Sequence, residues 1–363
     1  MKKFKTQNLI IINLIIIGHV FFLIILFLPL LSYTRDTAED PNRPSSKNEV
    51  RKVSLKEVMR FSDVPEKGIF FRRPRAIKLD DDGNIYIQDR PHILKFGPDG
   101  KFLVKMIKEG QGPGELPDGY VGSLRDFIIV KNKVIAFSDY KALWFNEHGE
   151  FQEEKRLPTK GSANFIVTPD LNYYVLERIE SRRDKKPKVD SSKYTFCLVH
   201  LSPDFKDKEV IYTWENKDGG YIYYPFCILI DLETFIVNIT SEYGFFSFDL
   251  KKGKLIKTFT RKYKRIKNNL GTFYIPDICG FHNAWSELWV VTNARDEDKN
   301  PLIHSWDLKT GDVEEFYLMY PKSEDDIKRR HDGDFFAVAN GFIFTIEQNS
   351  EGFYSIVKYR MER

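Results

Sequence analysis

Three cysteines in 363 residues are too few for a disulfide framework, so a packed core must hold this chain together. Cys197, Cys227 and Cys279 sit among apolar or aromatic neighbours, as in Phe196-Cys197-Leu198 and Phe226-Cys227-Ile228. They read as buried thiols, with one disulfide and a spare thiol as the alternative in an oxidising compartment. An excess of one charge is missing too: 56 Lys and Arg stand against 52 Asp and Glu, a net of +4. Lys2, Lys3 and Lys5 supply three of those positives, so the remainder is near neutral. That excludes a generally basic nucleic-acid binder, and no nucleic-acid partner is expected.

Catalytic signatures are equally sparse. A zinc site usually announces itself by a local ligand pair, and neither His-x-x-x-His nor Cys-x-x-Cys occurs. No Gly-x-Ser-x-Gly elbow presents a nucleophilic serine. His19, His92, His148, His200, His282, His304 and His331 are scattered along the chain. No cofactor is therefore expected. The alternative is a divalent metal gathered by histidines from distant segments, which spacing alone does not exclude.

Long hydrophobic runs are absent except for one. Leu9 to Leu31 is 23 residues without a charge. As a helix it reaches about 34 Å, enough for a hydrocarbon core of about 30 Å. The exit Leu31-Ser32-Tyr33-Thr34-Arg35 is a poor cleavage site, which favours an uncleaved anchor over a removed signal peptide. Lys2, Lys3 and Lys5 place the short flank in the cytoplasm and the rest outside it. The expected organisation is a cytoplasmic tail over 1–8, a transmembrane signal anchor over 9–31, a spacer over 32–48 rich in Pro, Ser, Asn and charge, and one domain over 49–363. The membrane is thus an expected partner through residues 9–31.

Beyond residue 49 helical periodicity disappears and short alternating runs take over, separated by Gly, Asp, Asn or Pro, which is the pattern of strands and turns. A unit recurs: an apolar strand ending in an aromatic residue, a tight Gly turn, and a second strand. It reads Phe96-Gly97-Pro98-Asp99-Gly100-Lys101-Phe102, then Phe145 to Phe151 around Gly149, Phe248 to Leu255 around Gly253, and Trp306 to Val313 around Gly311. A degenerate copy, Val199-His200-Leu201-Ser202-Pro203-Asp204-Phe205, fills the wide gap between the second and the third. The period is about 50 residues, the length of a four-stranded propeller blade. A sixth unit, Phe335-Ala339, Gly341-Thr345 and Tyr354-Tyr359, stops short of its outer strand. An open sheet edge is a liability, and Glu49-Val50-Arg51-Lys52-Val53-Ser54-Leu55 is free to cover it. The fold expected is all-β: a six-bladed β-propeller with four-stranded blades, closed by an N-terminal strand and preceded by one transmembrane helix. The basic stretch Arg182 to Lys188 reads as a loop within the third blade.

Residues 74–115 carry a more specific likeness. Pro74-Arg75-Ala76-Ile77-Lys78-Leu79-Asp80, Asp82-Gly83-Asn84-Ile85-Tyr86-Ile87-Gln88-Asp89 and Ile93-Leu94-Lys95-Phe96 with Asp99-Gly100-Lys101-Phe102 resemble one NHL-type repeat. Gly110-Gln111-Gly112-Pro113-Gly114-Glu115 is similar to the GxGPGE-type link between blades in bacterial six-bladed propellers of the NHL-like kind. The resemblance implies a propeller of the cell envelope and no particular activity. A phosphate loop is excluded at that link, because Glu115 stands where a Lys would serve and no helix follows.

Propellers bind at one mouth of the ring, where connections between blades meet the turns after second strands. Position alone nominates Asp89, Arg90, Asp139, Lys141, Glu242, Tyr243, Asn293 and Arg295 for that face. The mixture of charges specifies no ligand; an envelope protein, a polysaccharide or a small molecule would each fit. The Arg261-Lys262-Tyr263-Lys264-Arg265-Ile266-Lys267 cluster reads as a solvated loop, with contact to anionic lipid or envelope polymer as its alternative. The expected role is non-enzymatic binding or scaffolding, against a propeller lyase or lactone or ester hydrolase that holds a metal in its channel.

Overall fold

The computed structural model describes residues 50–119, 122–158, 164–180, 194–215, 226–239, 243–261, 278–284, 287–322, 327–329 and 336–362. All of them belong to one compact unit, Asn42–Arg363. The proposed anchor, Glu242 and most of the 261–267 cluster lie outside the described residues. No described helix is long and apolar enough to cross a membrane. Apart from the short turn of helix Pro65–Lys67, the described elements are strands.

All but the short strands Lys108–Glu109, Glu115–Leu116 and Lys328–Arg329 fall into six antiparallel blades of four. Blade 1 is Pro74–Leu79, Ile85–Asp89, His92–Phe96 and Phe102–Met106. Blade 2 runs from Asp126–Val130 to Phe151–Arg156, and blade 3 from Asn164–Val167 to Lys208–Glu215. Blade 4 runs from Phe226–Leu229 to Lys254–Thr260, and blade 5 from Ile278–Ala284 to Val313–Met319. Blade 6 is Phe336–Ala339, Phe342–Gln348 and Tyr354–Glu362, completed by Arg51–Phe61. The 182–188 stretch falls outside the described residues, between the second and third strands of blade 3.

Burial follows from this stacking. A middle strand has a neighbouring blade on both faces, so Ile85-Tyr86-Ile87-Gln88-Asp89 is buried throughout. The outer strand Phe151–Arg156 is solvated and reads as mostly polar. Every junction between consecutive blades holds its own hydrophobic cluster, including the junction between blades 6 and 1. Rings meet across all of them. Tyr86 and Phe127 are 6.5 Å apart between blades 1 and 2, and Phe137 stacks on Phe165 at 4.0 Å between blades 2 and 3. Trp214 meets Phe248 at 5.7 Å, Phe245 meets Trp306 at 5.4 Å, and His282 meets Phe336 at 4.8 Å. Phe61 meets Phe96 at 4.7 Å and completes the circle. The high aromatic content of the sequence is spent here, where large rings fill wedge-shaped gaps.

The recurring turn joins the third and fourth strands. Gly100, Gly149, Gly253 and Gly311 all have φ between 61° and 85°, the left-handed region that glycine enters at little cost. In the degenerate copy Phe205 takes that conformation at φ 62°. A non-glycine there costs about 1–2 kcal/mol. Its ring is 2% exposed and packs on Trp144 at 5.6 Å and Tyr173 at 5.0 Å. Burial of such a ring is worth about 1.5–3 kcal/mol, so the side chain offsets its own backbone.

The N-terminal strand closes the ring, at a different position from the one the sequence suggests. Ser54–Phe61 pairs antiparallel with Ile356–Glu362 of blade 6, whereas Arg51–Ser54 pairs parallel with Phe316–Met319 of blade 5. The expected segment, 49–55, thus mostly bridges to the preceding blade. Val53 and Leu55 are buried in the junction of blades 5 and 6, and Met59 and Phe61 pack on blade 1. A buried carboxylate reinforces the seam. Glu347, 1% exposed, accepts from Arg60 Nη2 at 3.0 Å, Arg329 Nε at 2.6 Å and the Tyr359 hydroxyl at 2.6 Å.

Candidate functional site

Because strands alternate in direction within a blade, the turn after each second strand opens on the same side as the connections between blades. At blade 1 this mouth is organised by Asp89, the last residue of its strand and only 2% exposed. Its carboxylate accepts backbone N–H bonds from Arg72 at 3.0 Å and Arg73 at 2.5 Å. Burial pushes the carboxyl pKa up, and the two amides oppose that shift. With both N–H groups turned inward to Asp89, the Arg72 and Arg73 side chains are left exposed. Arg75 follows at the start of the innermost strand, and Arg90 opens the next turn.

Arg72, Arg73, Arg75 and Arg90 line one cavity of about 400 Å³ together with Asp118 and Gly119 from the connection to blade 2. Among the described residues no carboxylate comes within ion-pair distance of the Arg72, Arg73 or Arg75 guanidinium. Blade 2 differs. Asp139 accepts from Arg125 Nε at 2.6 Å and from the Gly122 amide at 2.9 Å. Burial works against its charge, but Arg125 and that amide outweigh it and hold the carboxyl below 3.8.

The remaining nominated positions are dispersed. Lys141 donates to the Gly112 carbonyl at 3.3 Å and to Glu154 at 3.0 Å, and Glu154 accepts from the Gly114 amide at 3.2 Å. Lys141 therefore staples the glycine-rich link between blades 1 and 2. Tyr243 is no mouth residue: it is 3% exposed, and its hydroxyl meets His304 Nδ1 at 2.6 Å and Trp306 Nε1 at 3.0 Å. It locks blades 4 and 5 together. Arg295 folds back on its own strand, donating to the carbonyls of Thr292 at 2.6 Å and Ala294 at 2.7 Å. Asn293 is half-buried on the same strand. Of the nominated residues only Arg90 lines the arginine cavity, and Asp89 anchors the backbone behind it.

The reading by position missed Arg72, Arg73 and Arg75, because they precede a first strand rather than follow a second. The signal was present as Phe70-Phe71-Arg72-Arg73-Pro74-Arg75, a dense basic run in a chain of balanced charge. The described histidines are spread through the ring, and His19 and His331 lie outside the described residues. His92 reaches the Ile107 carbonyl at 2.7 Å, His148 is in an exposed turn, and His282 and His304 are buried at different junctions. Among the described residues no three His, Cys, Asp or Glu side chains gather as a metal site. No disulfide joins the described Cys197, Cys227 and Cys279.

Six four-stranded blades in a closed ring define an all-β propeller. A family model agrees: that of the DUF5128 family, described as a 6-bladed beta-propeller, matches residues 46–225. Among solved structures, a protein described as a candidate exported protein of Bacteroides fragilis NCTC 9343 is 14% identical, with a TM-score of 0.54 over 85% of this chain and 96% of that one. A gluconolactonase of Xanthomonas campestris is 13% identical, with a TM-score of 0.42 over 77% and 82%. The Neurospora crassa Pan2 WD40 domain is 12% identical, with a TM-score of 0.45 over 85% and 96%. At these identities the likeness is one of fold, and only the first is close enough to support even that. No curated protein matches the chain.

Proposed function

We propose that this chain is a membrane-tethered propeller of the NHL-like kind that works outside the cytoplasm as a non-enzymatic binding module of the envelope. The uncharged run 9–31 and the lysines before it support the tether and its orientation. The observation that carries the binding role is the cavity at the mouth of blade 1, where side chains from two connections and one turn converge. Such a site, concave and rimmed by charge on a rigid scaffold, is how propellers present a ligand surface. The ligand is a small molecule or a group displayed by an envelope protein or polysaccharide.

The test is affinity capture of the tagged full chain from its native membrane, in parallel with an Arg90→Glu variant. A species captured by the parent and lost from the variant is the expected result. Equal capture by both contradicts binding at this mouth. Stoichiometric zinc or calcium in the purified protein, whose removal abolishes a lyase or hydrolase activity, would contradict the non-enzymatic role.

A further inference from the structure

Resting on the mouth as the binding face, we infer that the cavity beside blade 1 takes a compact ligand carrying two or more oxyanion groups, phosphate or carboxylate in kind. Among the described residues four arginines line it against one carboxylate, that of Asp118. Several partly buried cations elsewhere in the ring are matched. Lys78 lies 2.7 Å from Asp126, Arg125 2.6 Å from Asp139, Lys141 3.0 Å from Glu154 and Arg329 2.6 Å from Glu347. Arg72, Arg73 and Arg75 have no such match among the described residues, and crowding like charges opposes folding unless a counter-charge arrives.

Guanidinium groups favour a particular guest. Their planar forks grip carboxylate and phosphate oxygens through paired hydrogen bonds, which a lysine cannot do. The Arg72 and Arg73 amides are already taken by Asp89, so these two residues meet the ligand through their side chains. A volume of about 400 Å³ suits a small molecule. Even with Arg90 set aside, Arg72, Arg73 and Arg75 outnumber Asp118 among the described lining residues, so a single negative charge leaves the site unbalanced. The balanced guest is multiply charged and small.

Calorimetric titration of the detergent-solubilised full chain tests this, with pyrophosphate, citrate and acetate as probes at low and at moderate salt. Saturable 1:1 binding of pyrophosphate or of citrate is expected, much weaker for acetate and weakening as salt rises. Whichever of the two binds better identifies the ligand as a phosphate or a polycarboxylate. Arg73→Ala and Arg75→Ala should each reduce affinity about tenfold or more, with Arg73→Lys between variant and parent. Their melting temperatures should match the parent, which separates lost binding from lost fold. Absence of saturable binding by both polyanions at millimolar concentration overturns the inference, as does binding indifferent to these substitutions.

A second arm keeps this outcome apart from the fate of the mouth itself. Tyr140 is 50% exposed on the second turn of blade 2, outside the cavity. Envelope capture lost in Tyr140→Asp but kept in Arg73→Ala overturns the oxyanion chemistry and leaves the mouth standing. Capture kept in both, and in Arg90→Glu, removes the mouth as well.

Discussion

At the seam of the ring, Arg60 and Arg329 converge on the buried carboxylate of Glu347, and Glu57 adds a second anion to Arg60 at 2.6 Å. At the mouth of blade 1, Arg72, Arg73 and Arg75 stand exposed or half-buried with no such partner among the described residues. The two regions use the same side chain for opposite ends. At the seam, charge is neutralised by a buried carboxylate and spent on holding the first strand of the ring to its last blade. At the mouth, a buried acid of the same type, Asp89, binds the arginines by their backbone and leaves their charge to solvent. The partner of the carboxylate, amide or guanidinium, decides whether an arginine's charge is spent inside the scaffold or left to solvent.

The largest effect expected follows from removing the seam altogether. Deletion of residues 51–61 strips Val53, Leu55, Met59 and Phe61 from two junctions and reopens both sheet edges. A circular-dichroism melt should lose its single cooperative transition; a melt like that of the parent would show that the strand does not close the ring. Next is Glu347→Gln, which leaves Arg60 and Arg329 without their shared anion. Breaking a buried pair from one side costs about 3–5 kcal/mol, measurable by denaturant unfolding. A loss under about 1 kcal/mol would make the seam arginines no more structural than those at the mouth.

The seam also predicts a pH dependence. His282, at the junction of blades 5 and 6, is pushed down by burial from 6.5 to about 3. Its folded state resists the proton that the unfolded chain accepts. The stabilisation is thus complete above pH 6.5 and is lost as pH falls toward 3, at about 1.4 kcal/mol per pH unit for one group. His304, lowered by burial and then by Arg261, adds a second such loss between blades 4 and 5. His282→Leu should flatten the acid limb of the stability curve by one proton; an unchanged slope would mean that His282 is not buried. The smallest effect belongs to the mouth: Arg73→Ala should change stability by no more than about 0.5 kcal/mol. A larger loss there would erase the contrast with Glu347.

Much of the ring could be read from residue order, because its period is local. The turns around Gly100, Gly149, Gly253 and Gly311 all appear where the repeat places them, and an N-terminal strand covers the edge of blade 6 as expected. The strand's position was misjudged because Val53 and Leu55 alternate cleanly, whereas the longer reach to Phe61 depends on Phe96 in another blade. The site was less legible for the same reason. Position after a second strand cannot tell an inward ring from an outward one, and the partners that bury Tyr243 lie 61 and 63 residues away. Asp89 was nominated by position, but its use, holding amides 16 and 17 residues earlier, is a property of the folded blade.

The most direct measurement is the anomalous signal of selenate, a tetrahedral dianion, diffused into crystals of the protein. The account predicts a strong peak in the cavity lined by Arg72, Arg73, Arg75 and Arg90, and none beside Arg60 and Arg329. An empty cavity with selenate at the seam, or on scattered surface lysines alone, would contradict it.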